Sequence, residues 1–484
     1  MKSNKLSLFD SILLVSGSMI GSGIFLVTNE MTLSLGNVYW VMFAWILGGI
    51  MTLLAALNFG ELAAMMPLAG GQYNFVTRIY GRKMGFIYGW SVFSVIQTGV
   101  IAAVAMAFAK HLGVLIPSLG EGKYLFTDLL GIPHCSVSYV QFVAILSVLV
   151  LSSINARGVQ ESKWIQRIFT LAKLLALGGL ILGAVISVMI LSNSVYLADN
   201  IHQFSGALSA KMDANSNISW TSISGSALFL AFSAAMVGSL FSSDAWQGIT
   251  FMSAEIDKPE KTIPKALLWG TAIVTVVYCL ANLAYFVILP INTIAVDEHV
   301  GVSAARNLLH GFLGNEVGTS NLAVLLMAAL IVISTFGCNN GLILAGSRLY
   351  KAMADQGLFF TKASTLNNRG VPGNALWMQA TWASVLCMSG TYGDLLKYCT
   401  FASLMFYIIT VFGVFILRNR EPKTERPYKV WGYPYLTIIY VILASAVAIG
   451  ILISQFKVAI YGMAIVLLGW PIYYLFKKSE IKAQ

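Results

Sequence analysis

Long, almost unbroken apolar runs separated by short polar loops recur from one end of the chain to the other. A helix that crosses a bilayer needs about 20 predominantly apolar residues. Twelve stretches meet or approach that length, at about 8–28, 38–66, 83–110, 137–156, 164–193, 224–253, 265–290, 319–346, 373–390, 394–417, 432–454 and 457–476. They are continuously apolar and lack the alternation of a transmembrane strand, so they predict helices and not a closed barrel. The pattern predicts an all-α membrane protein of twelve transmembrane helices.

Two of the runs are interrupted near their middle. In the first, Gly17-Ser18-Met19-Ile20-Gly21-Ser22-Gly23 puts glycine and serine where they weaken a helix. In the sixth, Phe241-Ser242-Ser243-Asp244-Ala245-Trp246 sets a carboxylate at membrane depth, where it is tolerated only facing a cavity or a partner. Small residues alone would serve close helix packing. A pair of interrupted helices five runs apart points further, to an inverted repeat of residues 8–193 and 224–418 with a site between the halves at mid-depth. Unwinding around residues 20–23 frees the amides of Gly21, Ser22 and Gly23 and sets a helix N-terminus behind them, a cradle for a carboxylate. Carbonyls freed in the sixth run accept from a cation such as an ammonium group. Together the two describe a zwitterion site. Its candidate residues are Met19, Ile20, Gly21, Ser22 and Gly23 on one side, and Phe241, Ser242 and Asp244 on the other.

Charged residues inside runs are few. Lys173, in IFTLAKLLALGG, lies about two turns inside Arg167 and is followed by some twenty apolar residues. It is expected to face the protein interior instead of snorkelling to the surface. There its ammonium can occupy the place of a coupling ion, or titrate. For Asp244 three roles stay open: holding a basic substrate, relaying a proton, or capping the broken helix. Glu61, at the end of the second run, reads as structural.

Composition agrees with the pattern. Of 484 residues, 57% are hydrophobic and only 10% charged, against roughly 25% charged in a soluble domain. The net charge of +10 would suggest nucleic acid for a soluble protein, but its distribution says otherwise. Counting from an N-terminus in the cytoplasm, 23 Lys and Arg fall in loops on that side and 6 on the other. That is the positive-inside pattern for twelve spans with both termini in the cytoplasm. The basic excess therefore faces anionic lipid, and membrane lipid, not nucleic acid, is the expected partner. The first run lacks a small-residue cleavage site and reads as a retained helix, not a signal peptide. Four of the five cysteines lie within runs as small hydrophobes, and Cys135 sits beside a predicted entry. The five histidines fall in or beside outside loops. No nucleophile with its base, no phosphate loop and no metal-ligand spacing is legible, so no enzymatic activity, metal or cofactor is expected.

At the interruptions and at three other places the chain resembles the amino acid, polyamine and organocation (APC) transporter superfamily, most closely its L-type amino acid transporter branch and bacterial relatives. The pieces are GSMIGSGIF at 17–25, FGELAAMMPLAGGQYNF at 59–75, FSSDAWQGITF at 241–251, GSRLYKAMADQGLFF at 346–360 and ERPYKVWGYP at 425–434. They stand in order across nearly the whole chain. The resemblance implies a LeuT-type fold: a transport core over residues 1–418 and two peripheral helices with a cytoplasmic tail over 419–484. It implies that the substrate carboxylate meets Gly21, Ser22 and Gly23, that carbonyls of Met19, Phe241 and Asp244 receive its amine, and that Phe241 is an aromatic gate. It matches Lys173 to the fifth-span lysine of that branch, an argument against sodium coupling, with Ser334 and Thr335 placed to offer it hydroxyl partners. Ser243 and Ala245 stand where the branch often has a bulky aromatic and a glycine, which leaves the choice of amino acid open. Animal members of the branch pair with a heavy subunit through a cysteine near the fourth span, the neighbourhood of Cys135. Bacterial relatives do without one, and no such partner is expected.

The reading is a sodium-independent amino acid permease, an exchanger, working by alternating access in the cytoplasmic membrane. A proton-coupled symporter using Lys173 or Asp244 is the nearest rival. A polyamine or organic cation transporter is the next, supported by Asp244 but opposed by a carboxylate cradle that such a substrate would leave empty. A channel should show a filter or charged ring, and a sensor an output domain; neither is legible.

Overall fold

The computed structural model describes residues 5–126, 136–190, 195–202, 206–212, 218–314, 317–389 and 392–483, and each predicted run is helical in it. The first run is two helices, α1 (Leu8–Met19) and α2 (Gly23–Leu35), meeting at 42°. Next come α3 (Val38–Met65) and the short α4 (Gln72–Tyr80). α5 (Arg82–Ser91) continues through one π-helical turn, Val92–Ile96, into α6 (Gln97–Leu115), a single crossing of 34 residues. α7 (Tyr139–Asn155), α8 (Val159–Ile190) and the short α9 (Leu197–His202) precede the second interruption. That interruption separates α10 (Gly225–Ser242) from the one-turn α11 (Gly248–Phe251). α12 (Pro259–Ile288), α13 (Ile291–Val296), α14 (Val300–Leu313) and α15 (Val317–Asp355) follow. α16 (Gly373–Ser389), α17 (Tyr392–Arg420), α18 (Tyr435–Ser454) and α19 (Phe456–Ala483) end the chain.

Among the described residues nine helices are long and apolar enough to cross a membrane, ten with α1 and α2 taken as one bent crossing. The chain is a multi-pass membrane protein. α7 and α16, in the fourth and ninth predicted runs, have 17 residues each, short of the about 20 of a straight crossing. Elsewhere helices outrun the apolar stretches, because polar helix formers continue them past the membrane boundary. α15 runs on through Arg348, Lys351 and Asp355 and stops before Gly357, which adopts φ +72°. The loops add two antiparallel hairpins absent from the all-α expectation: β1 (Tyr124–Phe126) with β2 (Val137–Ser138), and β3 (Leu208–Met212) with β4 (Ile218–Ser222). Cys135 lies outside the described residues.

Packing puts both interruptions inside the bundle. α12 lies against α1 and α3, α15 against α6 and α8, and α2 against α10. α18 and α19 pack on α10, α17 and α5. They are tied in by polar contacts: Thr437 Oγ1 donates to Asn58 Oδ1 at 2.8 Å. The Glu61 carboxylate accepts from Arg418 at 2.9 and 2.6 Å and from the Val430 amide at 2.7 Å. Glu61 thus anchors the segment that leads into α18, the structural role read from its position.

Candidate functional site

The first interruption is a local consequence of its glycines. α1 ends at Met19, Ile20 is extended (φ −74°, ψ 90°), and α2 starts at Gly23. Carbonyls of the last turn of α1 lose the amides they would bond in a continuous helix. Buried without partners they would each cost about 1–3 kcal/mol. Side chains from three other helices take them up. Lys173 Nζ of α8 donates to Gly17 O at 2.8 Å and Ile20 O at 2.6 Å, and Cys338 Sγ of α15 to Ser18 O at 2.9 Å. The Tyr278 hydroxyl of α12 lies 2.9 Å from Met19 O.

Lys173 is buried, as expected, at 1% exposure. Its third proton goes to Ser334 O at 3.0 Å, so all three ammonium donors meet carbonyl oxygens. Its partner in α15 is therefore the Ser334 backbone, not the expected hydroxyl. The Ser334 hydroxyl instead reaches Ile20 O and Gly21 O, at 3.3 and 3.4 Å. Thr335 departs further from expectation, because its hydroxyl turns back to Ile331 O at 2.8 Å within its own helix.

In the second interruption α10 stops at Ser242, and Ala245 adopts the left-handed conformation (φ 72°). Phe241 O accepts from the Asp244 amide at 3.1 Å, and Ser242 O lies 3.1 Å from the Tyr278 hydroxyl. The Asp244 side chain points toward α17. There Tyr407 donates to it at 2.5 Å, and Ser403 lies 3.5 Å away. The carboxylate lines a cavity of about 30 Å³, space for about one water, shared with Thr52, Thr400 and Tyr440. Trp246 packs edge-on against Phe59 and tilts over Tyr407, fixing the tyrosine that holds the carboxylate.

The two interruptions touch. A Cβ on Gly23 would overlap the Ser242 side chain and come within 2.9 Å of its Cα. Tyr278, with one hydroxyl proton, stands between Met19 O of one break and Ser242 O of the other. One turn on, Asn282 Oδ1 accepts from Thr28 Oγ1 of α2 at 2.7 Å. Of the expected binding residues, Met19, Ile20, Gly21, Ser22, Gly23, Phe241 and Ser242 are brought together and buried, whereas the Asp244 side chain lies on the far side of its break. Sequence reasoning missed Tyr278, Asn282, Cys338 and Tyr407. The spacing of Tyr278 and Asn282, one helical turn apart in an apolar run, is the signal that was available.

It missed also a closure at the N-terminal end of the site. Asp10 pairs with Lys163 at 2.7 Å and Arg167 at 2.6 Å. Leu6 bridges to the chain after α11, its amide on Glu255 O at 2.8 Å and its carbonyl on the Asp257 amide at 3.0 Å. Glu255 in turn meets Arg348 of α15 at 3.0 Å. Among the described residues no three His, Cys, Asp or Glu side chains converge as a metal site.

Two interrupted helices meeting inside a multi-pass membrane protein, with backbone groups turned into the break, are the arrangement of a secondary transporter. The chain belongs to the amino acid permease family, whose pattern matches residues 6–473. It is 28% identical to the serine/threonine exchanger SteT of Bacillus subtilis (strain 168) over 479 residues, 98% of this chain and 97% of that one. It is 28% identical to the mouse Asc-type amino acid transporter 1 over 472 residues, covering 97% and 81% of the two chains. Against the human cystine/glutamate transporter the identity is 28% over 473 residues, 98% and 85% of the two chains. The family and these relatives are membrane transporters, and the chain is a transporter, not an enzyme.

Proposed function

We propose that this permease is a sodium-independent amino acid exchanger that moves its substrate across the cytoplasmic membrane by alternating access. Lys173 carries the reading: its ammonium bonds Gly17 O, Ile20 O and Ser334 O, a nest of carbonyls between α1 and α15 of the kind a coupling cation would need. A resident charge there removes the requirement for sodium. The substrate carboxylate meets the amides of Gly21, Ser22 and Gly23 at the head of α2, and its amine meets carbonyls of Met19 and the second break. A carbonyl has two lone pairs, so Tyr278 and the amine can share Met19. Phe241 closes over the bound substrate, and Ser334 holds the shape of the first break. The proposed topology has twelve spans with both termini in the cytoplasm, a 5+5 inverted repeat within residues 1–418, and a peripheral pair over 419–484. The distribution of Lys and Arg between loops supports it. Exchange is supported by the relative named an exchanger, and it requires that the empty carrier reorient slowly. A heavy subunit is not part of the proposal.

The test is uptake of labelled amino acid by the purified protein in proteoliposomes. Uptake is expected with amino acid inside and not in empty vesicles, equally in sodium and choline buffers. A competition panel of the standard amino acids and putrescine then defines the substrate. One observation favours a second reading, proton-coupled symport. Asp244 is a buried carboxylate held by the hydroxyls of Tyr407 and Ser403, a place for a carried proton. Accumulation in empty vesicles driven by an inward proton gradient, and lost in Asp244→Asn, would select that reading over exchange.

A further inference from the structure

Away from the two breaks, α5, α17 and α19 leave between them a groove of about 260 Å³, a little below the volume of small-molecule sites. Every residue lining it is apolar, from Met84 and Ile87 of α5 through Phe401 to Ile409 of α17 and Gly462 to Trp470 of α19. Small residues, Ala402 and Gly462, leave the space between the helices unfilled there, and Met84, Met405 and Met463 give it soft walls. Leu467 at 58% exposure and Met405 at 39% show that it opens outward. An apolar recess in a membrane protein takes a lipid tail as its default filling. What singles this one out is its end.

At the first turn of α5, Lys83 Nζ lies 3.3 Å from the centre of the Trp470 ring and 2.9 Å from the Tyr474 hydroxyl. Trp470 itself lines the groove. Among the described residues no carboxylate pairs with Lys83. The ammonium is thus held in place by an aromatic face and one acceptor, with its charge uncompensated. A long apolar slot ending in a fixed, unneutralised cation beside Trp and Tyr matches an amphiphile with an acyl chain and an anionic head.

We propose that this groove binds one anionic phospholipid, an acyl chain lying between α17 and α19 and its phosphate against Lys83. The site is distinct from the exchange site, since none of its lining residues is among those that hold the two breaks. Its occupant is a lipid and not free phosphate, because the groove contributes most of the contact surface.

The experiment is native mass spectrometry of the whole protein released from detergent containing equal phosphatidylglycerol and phosphatidylcholine of the same chains, with melting temperature read in parallel. Phosphatidylglycerol is expected to be retained in preference by about fivefold, the factor that one basic residue near a membrane surface supplies. It is also expected to raise the melting temperature, while glycerol phosphate at the same concentration leaves it unchanged. Lys83→Gln should abolish the preference, with bound lipid persisting at equal ratio. Gly462→Leu fills the slot from a position where a Cβ meets only ordinary contacts at 3.7 and 3.8 Å; it should lose retention of both lipids with Lys83 intact. Equal retention of the two lipids by the unaltered protein overturns the proposal. So does a preference unchanged in Lys83→Gln, retention unaffected by Gly462→Leu, or stabilisation by glycerol phosphate alone.

Discussion

Lys173 does at one point what two kinds of group do in a broken membrane helix: it neutralises backbone dipoles and it ties neighbouring helices. Lys173→Ala leaves Gly17 O, Ile20 O and Ser334 O without their shared donor. At about 1–3 kcal/mol for a buried unsatisfied group, partly relieved by entering water, a loss of about 2 kcal/mol or more is expected. Melting in detergent checks the stability. Proteoliposome transport in each direction and across pH checks the mechanism, and behaviour unchanged on both counts removes Lys173 from it. Ala245 is a different case. It holds φ 72°, a conformation that costs a non-glycine residue about 1–2 kcal/mol, at the turn between α10 and α11. Ala245→Gly removes the strain but loosens the unfolded chain by about 0.5–1 kcal/mol. A net gain of up to about 1 kcal/mol is expected in thermal unfolding, and a clear loss would mean that the alanine methyl has a packing role.

At the scale of elements the decisive contact is α12 against both breaks. Tyr278→Phe keeps the ring that packs edge-on against Trp45 and removes only the hydroxyl shared by Met19 O and Ser242 O. A loss of about 1 kcal/mol in stability is expected, with a larger proportional effect on exchange rate because two moving parts lose their common tie. If transport is untouched while stability falls, α12 is a scaffold only. This contact also shows why part of the site was legible in the sequence and part was not. Gly17, Gly21, Gly23 and Ser22 announce a weak helix wherever they stand, and a lysine or aspartate in an apolar run announces a buried charge. The donors that answer the break carry no such mark. Tyr278 and Cys338 are ordinary members of apolar runs until folding sets them beside a bare carbonyl. The partners of the Asp244 carboxylate were not legible either, because Ser403 and Tyr407 lie 159 and 163 residues further along the chain. Helix positions were legible because apolar length is a property of the run itself. The two hairpins depend on strand pairing within the loops, which apolar length does not report.

For the whole molecule, the ties among Asp10, Lys163, Arg167, Leu6, Glu255 and Arg348 close one end of the bundle across α1, α8, α15 and the chain after α11. Asp10→Asn loses the ion pairs and retains the shape. The open form should gain by about 1.4 kcal/mol, a tenfold change in population. The check is the alkylation rate of Cys338, buried at 3% exposure, in a variant whose other cysteines are serine. A rise of about tenfold is expected, and an unchanged rate means these ties do not govern access.

The capture of the freed carbonyls reaches beyond any one residue. Four oxygens at the elbow of the first crossing are gripped by Lys173, Cys338 and Tyr278, so straightening that elbow would return the oxygens to helix amides and strand these donors, the buried ammonium above all. The crook should keep its shape through the transport cycle. What swings is then a preformed angle bracket, bolted to its neighbours, and the give in the machine must come from how these bolted pieces slide past the rest.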